Sequence, residues 1–78
     1  MREKKYYMVL TFRTTTEAMA MEKKCAEQNI PGRLIPVPRE ITAGCGLAWR
    51  IAQAEYERNR TAIDDLGIAF QQVVLLKL

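Results

Sequence analysis

The pattern of apolar and polar residues divides the chain into segments with strand periodicity and segments with helix periodicity. Runs rich in β-favouring residues or alternating in polarity predict strands at Lys5–Phe12, Arg33–Pro36, Gly46–Ala52 and Ala69–Leu78. The first helix is predicted from the helical spacing of Ala18, Met21 and Cys25, and it should end near Asn29. The threonines at 14–16, which precede it, can act as N-caps. Apolar residues at helical spacing predict a second helix over Ala54–Leu66, with Gly67 as its stop.

The predicted order of elements is β-α-β-β-α-β, and it spans the whole chain. Each β-α-β crossover has enough residues to be right-handed and to pack its helix on one sheet face. The economical arrangement is an α+β, ferredoxin-like sandwich of four antiparallel strands, with the first and third strands central and both helices on one face. No linker or internal boundary interrupts the pattern, so we expect residues 1–78 to form a single domain.

Strand alternation predicts which side chains face the helices. The residues expected to face the helices are Met8, Leu10, Phe12, Leu47, Trp49 and Ile51. Tyr7, Val9 and Arg50 are expected on the opposite, open face. The last strand is apolar on both sides, and an apolar strand edge or sheet face of this kind tends to be covered. We therefore expect a homodimer that buries either the open face or the edge of the last strand.

Composition excludes several classes of site. The chain has 78 residues, two cysteines and no histidine. A structural zinc site normally needs four Cys or His ligands, and a Cys-His dyad needs an imidazole, so neither site is expected. We expect no metal and no cofactor. No apolar run approaches the roughly 18 residues of a membrane span, and a strand-like segment rather than a signal-peptide core follows the basic start, so we expect a cytoplasmic protein. The two cysteines of such a protein are expected to be reduced thiols. The net charge of +3 favours anionic partners only weakly.

The connection between the second and third predicted strands contains the residue best suited to chemistry. Cys45 lies between Gly44 and Gly46, which permit close approach of another molecule and backbone conformations that can turn N–H groups toward a thiolate. Arg39 in the same loop, or else Arg50 on the following strand, could place positive charge near the sulfur and raise its reactivity. The alternative is that both glycines only shape the loop and that Cys45 fills space. Cys25, on the apolar helix face, is interpreted as a buried small hydrophobe.

A longer motif around Cys45 resembles the signature of a known family. The run reads Pro36-Val-Pro-Arg-Glu-Ile-Thr-Ala-Gly-Cys-Gly-Leu-Ala-Trp-Arg50. It is similar to that of a small bacterial family described as selenium/sulfur carrier-like proteins, whose layout is an early Tyr-containing strand, a helix, Ile-Pro, a basic residue, Pro-x-Pro-Arg and Gly-Cys-Gly. The resemblance implies that Cys45 carries sulfur or selenium as a persulfide or perselenide. It also implies donor and acceptor protein partners, and a carrier rather than a stand-alone enzyme.

Two other functions compete with the carrier interpretation. A regulatory module without chemistry could use Arg33, Arg39, Arg50 and the loop N–H groups to bind an anionic metabolite. RNA-recognition domains share the same order of elements, but they expose aromatic rings on the central strands. Here only Tyr7 offers an outward ring, so nucleic-acid binding is not expected.

Overall fold

Four strands and three helical segments make up the part of the chain that the computed structural model describes, residues 5–41 and 44–78. In chain order they are β1 (Tyr6–Thr11), α1 (Thr15–Gln28), β2 (Arg33–Pro36), β3 (Leu47–Ala52), α2 (Gln53–Arg58), α3 (Arg60–Asp64) and β4 (Val73–Lys77). Within these two ranges, no helix has both the length and the apolar character needed to cross a bilayer.

The strands form one antiparallel sheet in the order β2-β3-β1-β4. In the central pair, Leu10 lies opposite Trp49 and Met8 lies opposite Ile51. The prediction of a four-stranded antiparallel sheet with the first and third strands at its centre is confirmed, and the protein belongs to the α+β class.

All three helical segments pack on the same face of the sheet. Leu10 and Phe12 are completely buried there, and Trp49 is 3% exposed. The shared core consists of Leu10, Phe12, Ala18, Met21, Cys25, Ile30, Trp49, Ile51, Tyr56, Ile63 and Leu66, with Met8 and Leu47 packed against it. The predicted helix-facing side chains are therefore confirmed. Lys24 on α1 also donates a hydrogen bond of 2.9 Å to the carbonyl of Leu66, which ties α1 to the segment after α3.

Local hydrogen bonds explain where α1 begins and ends. The Thr14 hydroxyl accepts from the backbone N–H of Glu17 at 3.2 Å and donates to the Glu17 carboxylate at 3.1 Å. This satisfies one of the backbone donors that a helix N-terminus leaves without an intrahelical partner. At the other end Asn29 adopts the left-handed conformation (φ 56°) and its N–H bonds the carbonyl of Cys25. The N-cap is Thr14, one of the three threonines proposed from the sequence, whereas the left-handed cap at Asn29 was not predicted.

The prediction of one continuous second helix is wrong. Helices α2 and α3 are separated by Asn59, whose backbone (φ −106°, ψ 14°) departs from helical values. Its side-chain amide donates a hydrogen bond of 2.8 Å to the carbonyl of Glu55. Asparagine side chains compete in this way with the backbone ladder, and the regular helix is interrupted at Asn59.

The last strand is shorter than predicted. It begins at Val73, whereas the sequence pattern predicted a start at Ala69. The ring of Phe70 instead packs edge-on against Phe12 at a centroid distance of 5.8 Å. Hydrogen bonds to β1 still extend past the end of the regular ladder, because the N–H of Gln71 donates to the carbonyl of Thr11 at 2.8 Å and the N–H of Thr11 donates to the carbonyl of Gln72 at 2.9 Å.

The sheet face opposite the helices is covered at its centre by the loop after β2. Val9 and Ala48 on this face are completely buried, and Ile41 from the loop packs with them and is 8% exposed. The prediction placed Val9 on the correct side, but it was wrong that this part of the face is open. The loop supplies the cover that the sequence analysis assigned to a second subunit.

Replacement of Ile41 tests how firmly the loop is held on the sheet. We expect Ile41→Ala to lower the free energy of unfolding by about 2 kcal/mol or more, because it removes buried methyl groups and leaves a cavity over Val9 and Ala48. Met19→Ala is the control, since Met19 is 51% exposed, and its effect should stay within about 0.5 kcal/mol. Urea unfolding measures both. Equal effects of the two substitutions would show that the Ile41 contact does not hold the loop.

Candidate functional site: the Cys45 loop

The loop that carries Cys45 is closed at its base by the β2–β3 pairing. Pro36 lies opposite Leu47 at the end of the ladder, and the N–H of Val37 donates to the carbonyl of Gly46 at 3.0 Å. Farther out, the N–H of Ile41 bonds the carbonyl of Pro38 at 2.9 Å, which makes a tight turn. The described loop residues are therefore constrained by backbone bonds as well as by Ile41. Thr42 and Ala43 lie outside the described residues.

Gly44 attaches the far side of the loop to the segments next to β1 and β4. Its N–H donates to the side-chain oxygen of Gln71 at 3.2 Å. A Cβ atom at Gly44 would lie 3.4 Å from the carbonyl oxygen of Arg13, at van der Waals distance. The Gly44 backbone therefore lies close to Arg13, just after the end of β1.

Cys45 is partly buried and packs against the helix-side core. Its thiol donates to the carbonyl of Leu47 with a sulfur–oxygen distance of 3.6 Å. The next residue, Gly46, has a φ of 79°, and no described atom lies within 4 Å of the position its Cβ would occupy. Glycine is needed there for the backbone conformation rather than for space.

Cys25 is more deeply buried than Cys45. It is 1% exposed, on the face of α1 that also carries Ala18 and Met21. Burial raises the pKa of the Cys25 thiol to about 11, because a thiolate is poorly solvated in the core. Both cysteines are free thiols. The prediction that Cys25 is a buried small side chain is confirmed.

The two arginines proposed from the sequence lie in different places. Arg39 is exposed in the turn that ends at Ile41. Arg50 lies on the sheet face opposite the helices, where its guanidinium carbon is 4.6 Å from the centre of the Tyr7 ring. Gly44 and Gly46 flank Cys45, and Arg39 lies earlier in the same loop without a hydrogen bond to Cys45 among the described residues, whereas Arg50 points to the other side of the sheet from the core that Cys45 contacts.

Gln71 and Arg13 were missed by the sequence analysis. Gln71 is 27 residues from its hydrogen-bond partner Gly44, and Arg13 precedes the first helix. Neither residue belongs to a motif. Only the arrangement of the sheet, which brings the end of β1 and the approach to β4 beside the loop, makes them neighbours of Cys45.

Comparison with known proteins assigns the chain to a family. Residues 6–75 match the model of a family described as "Putative Se/S carrier protein-like". The chain belongs to this family. The match runs from β1 into β4 and includes the Cys45 loop, so the resemblance drawn from the sequence motif is confirmed. No curated protein and no solved structure gives a significant match.

The two thiols should differ in their rates of alkylation. At neutral pH a thiol with a pKa of about 11 is ionised in only about one molecule in ten thousand. We expect iodoacetamide at pH 7 to modify Cys45 well before Cys25 in the folded protein, and both at similar rates in urea. Peptide mass spectrometry measures the two rates. Faster modification of Cys25 than of Cys45 in the folded protein would contradict this assignment.

Cys25 should also make stability depend on pH. In the unfolded chain its thiol ionises near pH 9.0, whereas in the folded protein the pKa is about 11. The folded state holds this proton more tightly, so the stabilisation is complete below pH 9 and is lost as the pH rises toward 11. We expect the unfolding free energy of the wild type to fall by about 2 kcal/mol more than that of Cys25→Ala over this range. Urea unfolding of both proteins isolates the Cys25 contribution from those of lysines and tyrosines, and equal losses would exclude it.

Proposed function

We propose that Cys45 is a carrier thiol, which accepts one sulfur or selenium atom from a donor protein and passes it to an acceptor. The observation that carries the proposal is the contrast between the two cysteines. Cys45 lies partly exposed between two glycines in a constrained loop, whereas Cys25 is enclosed in the core. Membership in the Se/S carrier-like family supports the choice of cargo.

Sulfur transfer through one thiol needs no second catalytic group. In loading, the Cys45 thiolate attacks the outer sulfur of a donor persulfide, R–S–SH. The donor S–S bond breaks, its electron pair leaves with R–S⁻, and Cys45 becomes a persulfide. In delivery, an acceptor nucleophile attacks the outer sulfur and the electron pair returns to the Cys45 sulfur. One sulfur atom is transferred from donor to acceptor, and no external oxidant or reductant is consumed. A donor R–S–SeH would load selenium by the same steps.

The loop geometry suits this exchange. The hydrogen bond from the Cys45 thiol to the Leu47 carbonyl holds the sulfur in one orientation while it is protonated. On deprotonation that donor is lost, and the sulfur is free to turn toward a partner. Approach from the side of Gly46 meets no described side chain within 4 Å of the glycine's Cβ position. Under this proposal a partner approaches Cys45 from the side of Gly46.

We propose that an arginine near the loop activates the Cys45 thiolate. Arg39, from the same constrained segment, is the first choice, and Arg50 was the second choice from the sequence. The position of Arg50 over Tyr7 on the opposite side of the sheet favours Arg39. Arg13 joins the candidates because its backbone lies against Gly44. A cationic neighbour stabilises the thiolate and so increases the reactive fraction.

The proposal also includes the fold class and the cellular compartment. The strand order β2-β3-β1-β4, with all helices on one face, supports placing the fold in the ferredoxin-like class. Two free thiols are what a reducing compartment such as the cytoplasm maintains, and a thiol carrier needs such conditions.

Intact mass spectrometry tests the carrier role. After incubation with glutathione persulfide, the wild type and Cys25→Ala should each gain the mass of one sulfur atom, and dithiothreitol should remove it. Cys45→Ser should gain nothing, because a hydroxyl does not form a persulfide. Glutathione selenopersulfide, used in parallel, reports on selenium. If Cys45→Ser is loaded as well as the wild type, or if the wild type is never loaded, the carrier role is wrong and a binding module that tolerates Cys45→Ser becomes the better account.

The same assay ranks the arginines. We expect Arg39→Ala to slow loading severalfold, Arg13→Ala to slow it less, and Arg50→Ala to leave it unchanged, since Arg50 packs on Tyr7 away from the loop. Loss of loading in Arg50→Ala alone would reverse this assignment but would leave Cys45 as the carrier.

A further inference from the structure

Strand β4 lies at the edge of the sheet, and part of its backbone is directed away from β1. Lys5 and Leu78 exchange two hydrogen bonds of 2.9 Å, and the N–H of Thr11 bonds the carbonyl of Gln72 at 2.9 Å. Hydrogen-bonded pairs alternate along an antiparallel ladder. Leu76 and Val74 therefore bond β1, whereas Val73, Leu75 and Lys77 direct their N–H and C=O groups outward.

The same edge exposes apolar side chains. Val73 is 43% exposed, Leu75 is 45% exposed and the neighbouring Tyr6 is 52% exposed. Val73 and Leu75 lie opposite Leu10 and Met8 and so share the helix side of the sheet. Helices α1 and α2 pack on β1, β2 and β3. Among the described residues, β4 is left as an apolar strand with its outer backbone groups unpaired, which is the kind of edge that pairs with another strand.

We propose that β4 pairs with β4 of a second copy of this chain, antiparallel, about a two-fold axis at Leu75. In this register Leu75 pairs with Leu75 of the second copy, and Val73 pairs with Lys77 of the second copy. The three residues with outward backbone groups are symmetric about Leu75, so every outward N–H meets a C=O. The axis is perpendicular to the sheet, and two four-stranded sheets join into one with the helices of both copies on the same side.

The charges and side chains along β4 favour its own copy as the partner strand. The only charged residue in the strand is Lys77, at its end, and the ammonium of Lys77 lies 5.7 Å from the centre of the Tyr6 ring of its own chain. The centre of the edge is uncharged. Self-pairing places Leu75 against Leu75 and lays Val73 along the aliphatic stem of Lys77, which covers the exposed apolar surface on both copies at once.

This pairing leaves the cysteine loops accessible. Gly44 is bonded to Gln71, which precedes β4, so each loop lies near the start of its own β4. In an antiparallel pair the starts of the two strands are at opposite ends. The two Cys45 thiols are thus far apart, and each can meet its own donor.

Sedimentation velocity over a range of protein concentrations tests the pairing. We expect the wild type to form dimers and Leu75→Lys to raise the dimer dissociation constant by about tenfold or more, because two ammonium groups would then lie directly opposite each other. Met19→Lys is the matched control, since Met19 is similarly exposed (51%) but lies on α1, and it should dimerise like the wild type. A wild type that stays monomeric up to about 1 mM, or equal weakening by both substitutions, would overturn the proposal.

A disulfide at the two-fold axis tests the register. In a Cys25→Ala, Cys45→Ala background, Leu75→Cys should give a covalent dimer on mild oxidation, because Cα atoms in such a pair are about 5.5 Å apart, within disulfide range. Met19→Cys in the same background should stay monomeric. Tyr7→Cys reports on the opposite sheet face. Efficient crosslinking through Tyr7→Cys with none through Leu75→Cys would show that the copies meet through that face and not through the β4 edge.

Discussion

The pairing of β1 with β3 is the interaction on which the rest of the structure depends. It sets Leu10 against Trp49 on one face and leaves Val9 beside Ala48 on the other, and all four side chains are almost completely buried. A strand that is apolar on both faces must be covered twice. The helices cover one side, and the loop after β2, through Ile41, covers the other. The position of the loop is therefore a consequence of the core.

The same constraint separates the two thiols. Cys25 belongs to the core on the helix side of the sheet, where desolvation raises the pKa of its thiol to about 11. Cys45 follows the segment that closes the opposite face, and it reaches the surface where the loop turns back into β3. In a chain of 78 residues, the loop that completes the core also carries the candidate site. Ile41, which packs with Val9 and Ala48, lies three residues before Gly44 in the same loop.

The proposed carrier role needs partners more than it needs an enclosed site. Under that proposal one sulfur atom is transferred at one thiol, and the remaining requirement is access. The Cys45 loop and the β4 edge lie on different parts of the sheet, joined by the hydrogen bond between Gly44 and Gln71. This arrangement allows a second copy at the edge and a donor or acceptor at the loop at the same time.

Local patterns in the sequence determined the elements, the Thr14 cap, the faces of the central strands, the burial of Cys25 and the family motif around Cys45, because these depend on neighbours along the chain. Tertiary structure alone decided the start of β4 at Val73 rather than at Ala69, the loop cover over Val9, and the contacts of Gly44 with Arg13 and Gln71. These features depend on residues distant in sequence, which compete for the same space. Periodicity shows which face of a strand is buried, but it does not show which segment buries it.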